Sequence, residues 1–223
     1  MKTLQRNAVR ILASFWLTFA ASTMGAESAG IGADDALSRL LNGDKRFVAG
    51  KSEEPQGAAL IERRHALAKD QKPFAVILSC SDSRVPPELV FDVTLGDIFV
   101  VRTAGEVVDE VVVGSIEYAI EHLGTHLIVV LGHQRCGAVS AAVSGAAETG
   151  DIPKVLKPIL PAVEETKAQS GDRIDNAVRA NARDIAKRLQ STGPIITPRV
   201  ESGEVKIVAA YYSLDTGQVE LLK

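Results

Sequence analysis

Cys80 and Cys136 are the only two cysteines among the 223 residues, and each stands in a short run of residues able to do chemistry. Around the first the chain reads Cys80-Ser81-Asp82-Ser83-Arg84, a thiol, a carboxylate and a guanidinium at alternate positions. Around the second it reads His133-Gln134-Arg135-Cys136-Gly137, an imidazole three residues before a thiol. Two thiolates and one imidazole form a soft to borderline donor set that suits zinc better than magnesium, calcium or manganese. A structural zinc site usually closes with a fourth cysteine or histidine. No third cysteine exists here, so three donors would leave an exchangeable position of the kind used in catalysis. Zinc so held lowers the pKa of a bound water to about 7 and makes hydroxide available near neutral pH. Asp82 has two options beside such a metal: it can ligate the ion, or it can accept the planar fork of Arg84. In the second case it can orient a nucleophile. Cysteine count alone favours a different outcome, one disulfide between Cys80 and Cys136.

The elements that must deliver these groups are legible as alternating apolar runs and helical segments. Residues 74–78 and 127–131 are continuous apolar runs of strand length, residues 97–101 and 205–212 look similar apart from Asp97 and Lys206, and all suit buried strands. Cys80 follows the first run and His133 the third, where an open α/β sheet presents ligands to a crevice. Cys136 precedes Gly137 and a helical segment over residues 138–146, so its thiolate faces a helix N-terminus. Further helices are expected over residues 34–43 with Gly43 as the stop, and over 58–69, 111–123, 155–169 and 173–189. The fold class expected is α/β, a central mostly parallel β-sheet flanked by helices. The turn Asp215-Thr216-Gly217 adds an antiparallel edge strand over residues 218–222.

Lys2, Arg6 and Arg10 precede an apolar run over residues 11–21 and small residues at Gly25 and Ala26, the pattern of a secretory leader. The run is about half of the roughly 20 residues needed to span a bilayer. Residues 1–26 are therefore read as a signal peptide and 27–223 as one catalytic domain, periplasmic or secreted, with no membrane span in the mature chain. Removing the leader leaves 22 Lys+Arg against 28 Asp+Glu, a formal charge of about −6, which argues against nucleic acid as a partner.

The paired motifs, CxDSR over Cys80 to Arg84 and HxxCG over His133 to Gly137, resemble those of the β-carbonic anhydrase family. The similarity extends through Val85 to Glu88, Gly96 to Arg102, Gly114 to Ala119 and Leu131 to His133, and covers about residues 34–222. The resemblance implies reversible hydration of carbon dioxide to bicarbonate and a proton, with one Zn2+ per chain held by Cys80, His133 and Cys136. It implies that Asp82 and Arg84 are the catalytic dyad, Asp82 being either paired with Arg84 or a fourth metal ligand. Gln71, Phe99 and Tyr118 match positions that line the substrate pocket in the family, although loop placement for Gln71 and ordinary core packing for the aromatics are equally good readings. A homodimer or homotetramer is implied, with the pocket near the interface.

Two positions depart from the family pattern. Glu106 stands where many relatives carry asparagine, and is read as a solvated turn carboxylate with an effect on the pocket as the alternative. Ser213 replaces an aspartate. His65, His122 and His126 are not assigned to the metal, with a proton relay through one of them as a minor alternative. Two rival functions share the motifs: a noncatalytic zinc-binding assembly protein of the same fold, and a hydrolase of carbonyl sulfide or carbon disulfide.

Overall fold

The computed structural model describes residues 31–54 and 56–223; the leader expected over residues 1–26 lies outside them. No helix of the described residues is long and apolar enough to cross a membrane. In chain order the helices are α1 (Ala33–Val48), α2 (Ala58–Ala66), α3 (Pro87–Val90), α4 (Glu110–Leu123), α5 (Gly137–Ser144), α6 (Ile152–Leu156), α7 (Leu160–Thr166), α8 (Arg173–Gln190) and α9 (Gly193–Glu201). The strands are β1 (Ala75–Cys80), β2 (Ile98–Thr103), β3 (Leu127–His133), β4 (Lys206–Tyr212) and β5 (Val219–Leu222). They form a sheet of order β2-β1-β3-β4-β5. All neighbours are parallel except β4 and β5, which pair antiparallel. The expected fold class and edge strand are both present.

Period-two geometry explains why the core strands read as unbroken apolar runs. On one sheet face Val76 and Leu78 of β1 and Ile128 and Val130 of β3 pack against α4, α8 and α9. On the other, Ala75 and Ile77 and Leu127, Val129 and Leu131 pack under α1, α3 and Phe91. Each strand must be apolar at odd and even positions alike, because helices cover both faces.

Several boundaries differ from those expected, each for a physical reason. β1 runs on through Ser79 to Cys80, and β3 through Gly132 to His133, so both residues end their strands rather than follow them. The segment expected as a helix over residues 155–169 is three short pieces, with Pro153, Pro158 and Pro161 each at the start of one, where a missing N–H costs nothing. α3 and α9 have no counterpart in the sequence reading; Pro198 sits inside α9, against the usual preference.

Gly43 does not stop α1. The helix continues to Val48, and Gly43 is instead a point of close approach, since a Cβ there would lie 1.7 Å from the Phe91 carbonyl oxygen. Gly43→Ala is expected to force α1 away from the turn after α3 and to cost about 3 kcal/mol, the upper end of overpacking effects. Urea unfolding of the variant beside the parent measures this, and an unchanged midpoint would show that the turn yields freely.

Candidate metal centre

The sheet order places β1 and β3 side by side, so the residues that end them are neighbours across 53 positions of sequence: Cys80 ends one and His133 the other. Arg135 adopts a left-handed backbone conformation, φ 54°, and turns the chain after β3 so that Cys136 becomes the N-cap of α5. Cys80, His133 and Cys136 are all buried. Among the described residues their donor atoms form a group that could hold a metal ion, all lying within 4.8 Å of one another.

The two sulfurs are unbridged and 3.9 Å apart. Two thiolates each about 2.3 Å from one tetrahedral ion stand about 3.8 Å apart, so the gap matches a shared metal. His133 Nδ1 lies 3.0 Å from the Gln134 carbonyl oxygen, which can only accept. Nδ1 therefore carries the proton and Nε2 presents its lone pair. That Nε2 is buried with no hydrogen-bond partner among the described residues, a costly state unless a cation receives the lone pair. The three groups fit a zinc ion by donor type, spacing and the orphaned nitrogen.

Their electrostatics agree. A hydrogen bond from the Cys136 thiol, aided by one from the Gly105 amide, draws the Cys80 thiol well below its ordinary value against the cost of burial. The same bond and burial push Cys136 up. Cys80 is thus the readier of the two to ionise, and a divalent cation would displace the proton left between them.

Asp82 stands at the rim of this group with its Oδ2 3.8 Å from His133 Nε2. Arg84 engages it fully: Nε donates to Oδ1 at 2.9 Å, Nη2 to Oδ2 at 2.7 Å, and the Arg84 amide to Oδ1 at 2.9 Å. This fork holds the Asp82 carboxyl down at about 2. Of the two arrangements expected for Asp82, the structure has the one paired with Arg84.

Gln71, Phe99 and Tyr118 are not gathered around the three donors of the same chain. Phe99 pairs with Val76 near the start of β1, whereas Thr103 pairs with Cys80, and four residues of strand separate the two levels by about 13 Å. Phe99 and Tyr118 are neighbours of each other, ring centroids 6.4 Å apart, and Tyr118 is 48% exposed. Gln71 is exposed in a groove with Leu67, Leu95 and Ile98. His122 rests against Tyr118, centroids 4.9 Å apart, and His126 Nδ1 meets the Glu204 carbonyl oxygen.

Some residues that shape the site escaped the sequence reading. Arg102 donates to the Cys80 and Asp82 carbonyl oxygens at 2.9 and 2.6 Å, clamping the loop that carries the ligand and the carboxylate. The Gly105 amide donates to Cys80 Sγ at 3.3 Å. Neither contact is signalled by spacing, because each crosses from one strand to the next.

Glu106 is corrected outright: it is not a solvated turn residue but fully buried. Asn181 of α8 donates to its Oε1 at 3.2 Å. Burial and the Cys80 charge raise its carboxyl from the ordinary 4.5 to about 8. Between those values an unfolded chain has released the proton and the folded chain has not, so Glu106 erodes stability as pH rises from 4.5 to 8 and no further above that. With the metal removed by chelation, Glu106→Gln is expected to melt above the parent by a margin that widens from pH 5 to about 8. Thermal melts at several pH values check this, and a constant margin would contradict it. Ser213 accepts from the Thr216 amide at 3.2 Å and donates to Gln134 Oε1 at 3.4 Å, tying the turn after β4 to the residue that follows His133.

Both motifs fall inside residues 75–219, which match the family model described as carbonic anhydrase. Carbonic anhydrase 2 of Mycobacterium tuberculosis is 40% identical over 190 residues, covering 83% of this chain and 91% of that protein. The carbonic anhydrase of Mycolicibacterium smegmatis is likewise 40% identical, over 191 residues and the same shares of the two chains. The chain belongs to the β-carbonic anhydrase family. Among solved structures, a tetrameric β-carbonic anhydrase of Sordaria macrospora aligns at TM-score 0.68 and 24% identity, over 84% of this chain and 97% of its own. The β-carbonic anhydrase CafA of Aspergillus fumigatus aligns at 0.66 and 26%, over 84% and 90%. As a β-carbonic anhydrase the chain is an enzyme whose chemistry is the hydration of carbon dioxide, and Cys80, His133 and Cys136 are the residues able to hold its metal.

Proposed function

We propose that this chain interconverts carbon dioxide and bicarbonate with one zinc ion per chain held by Cys80, His133 and Cys136. The observation that carries the reading is the buried, unpartnered Nε2 of His133 facing two sulfurs 3.9 Å apart. Zinc with an open fourth position supplies there a water acidified to near neutrality.

The rest is the work of side chains. Asp82, ionised and half outside the donor group, accepts a hydrogen bond from the attacking oxygen and so aims its lone pair at the carbon of carbon dioxide. Arg84 keeps that carboxylate ionised and out of the ligand set, and Arg102 holds the backbone between Cys80 and Asp82. Gln71, Phe99 and Tyr118 complete a pocket only if a second copy brings them to these donors, which supports a homodimer or a homotetramer as the working form. The exposure of Val111 (77%) and Tyr118 (48%) on α4 fits that assembly, as does the tetrameric Sordaria relative. Export by the leader over residues 1–26 to the periplasm or beyond is part of the same proposal, and amino-terminal sequencing of the chain recovered from fractionated cells checks it.

Stopped-flow measurement of carbon dioxide hydration on the zinc-loaded chain is expected to show a rate well above buffer that disappears on chelation. No rate at any pH would favour the noncatalytic assembly reading. Sulfide released from carbonyl sulfide or carbon disulfide in place of carbon dioxide turnover would favour the hydrolase.

A further inference from the structure

Glu106 is the one departure from the family pattern that ends up inside the protein, and three observations bear on its use. It takes a left-handed backbone conformation, φ 44°, beside Gly105 at φ 67°. A side chain that is not glycine persists in that region only where its surroundings demand it. Its carboxyl lies between the end of β3 and α8, with Oε1 3.4 Å from where a Cβ on Gly132 would sit. Lastly, Asn181 spends both hydrogens of one amide on this turn, one on the Gly105 carbonyl oxygen at 3.1 Å and one on Glu106 Oε1 at 3.2 Å.

Gly105 is therefore held on both sides of its Cα, by its carbonyl oxygen on Asn181 and by its amide, which donates to Cys80 Sγ at 3.3 Å. An amide that donates to a thiolate fixes where its charge lies and how strongly it can donate to a metal. Asn181 has two amide ends of similar shape, and only a fixed acceptor decides which of them faces the turn. Glu106 Oε1 shares that part with the Gly105 carbonyl oxygen, each taking one hydrogen of the same amide nitrogen.

We propose that Glu106 is a positioning residue of the metal centre, acting through Asn181 and the backbone on both sides of Gly105 to hold the Cys80 sulfur as a ligand. Glu106 touches no reacting atom in this scheme. Its remaining oxygen, Oε2, is buried without a partner among the described residues, so the side chain is retained at a cost in polar burial. The bond to Asn181 is what offsets that cost. The inference rests on the metal reading above and adds to it a residue contributed by β2's following turn and one contributed by α8.

The test uses the full chain loaded with zinc and, separately, with cobalt(II), and compares Glu106→Gln, Glu106→Met and Asn181→Leu with the parent. Chelator competition gives the zinc affinity, and the thiolate-to-cobalt charge-transfer band reports on the sulfur itself. Glutamine keeps the acceptor, so Glu106→Gln should hold zinc within about threefold and leave the band in place. Glu106→Met and Asn181→Leu remove the contact at similar volume and should each weaken zinc roughly 10- to 100-fold, the range for lost outer partners of metal ligands, and shift the band alike. The Met/Leu double variant should be no weaker than either single one, because the two act in one chain of contacts.

Parent-like affinity and band in the Met and Leu variants overturn the proposal. So does a Glu106→Gln variant as weak as Glu106→Met, which would mean that an acceptor at this position is not the active feature. Should the apolar variants not fold, a crystal structure of the cobalt-loaded parent decides: a Gly105 nitrogen beyond 4 Å from Cys80 Sγ, or an Asn181 amide turned from Glu106, overturns it. A parent that takes up neither metal refutes the metal reading itself, an outcome distinct from all of these.

Discussion

Serine in place of Cys136 is expected to abolish stoichiometric metal binding and to lower carbon dioxide hydration by more than about 100-fold, beyond what loss of an outer partner costs. The side chain is fully buried at the start of α5, so no solvent-borne ligand can take its place. A serine hydroxyl is a harder donor that keeps its proton near neutral pH, whereas a thiol gives up its proton to the cation and becomes a soft ligand. The fold should survive, since the hydroxyl can still donate to the Cys80 sulfur across the gap that the thiol spans. Elemental analysis for zinc per chain, with circular dichroism as the control for folding, makes the measurement. A folded variant with a full complement of zinc would remove Cys136 from the ligand set. On the parent, the same elemental analysis beside a count of free thiols separates the metal from the disulfide that the cysteine count first favours, since a bridge consumes both thiols and leaves no zinc.

Asp82→Asn should do the reverse, keeping the metal while losing the reaction. Asparagine preserves the shape and one acceptor oxygen but removes the charge and half of the fork that Arg84 grips. An acceptor that orients the nucleophile is worth roughly 100-fold in rate, within the range for positioned proton-handling groups, so kcat/KM should fall by about that factor with zinc content unchanged. Arg84 holds the parent carboxyl at about 2. It is therefore ionised across the whole range in which activity is assayed, and its own protonation cannot shape the pH profile. The variant should accordingly lose height at every pH and retain an acid limb. Zinc lost from Asp82→Asn would instead identify Asp82 as a ligand, and an unchanged rate would leave the dyad without a catalytic part.

The two results together would separate residues that hold the metal from residues that use it, a division already visible in burial. Cys80, His133 and Cys136 are all buried, the two cysteines within one apolar cluster. Asp82 and Arg84 stand at the rim, their side chains 16% and 50% exposed. A group that binds a cation gains from exclusion of competing water, while a group that passes a proton or meets a substrate must remain reachable.

Much of the centre was legible from the chain alone because its signals are local. Three donors of the right softness, the carboxylate and guanidinium at alternate positions, and the absence of a closing fourth cysteine are properties of residue type and spacing. The apolar runs before Cys80 and before His133 are too, since a strand covered on both faces must be apolar at every position. Those features determined the α/β sheet, the three donors able to hold a metal and the class of chemistry. Tertiary structure decided what depends on which strand lies beside which. Only the order β2-β1-β3 brings Cys80 to His133 across the sheet and the Gly105 amide to the Cys80 sulfur. Only the packing of α8 against the end of β3 encloses Glu106, whose charged neighbourhood in sequence reads as solvent. Gly43 marks a stop by its type and a close contact by its place, because a glycine's type records that a side chain is missing but not whether backbone freedom or neighbouring atoms forbid one.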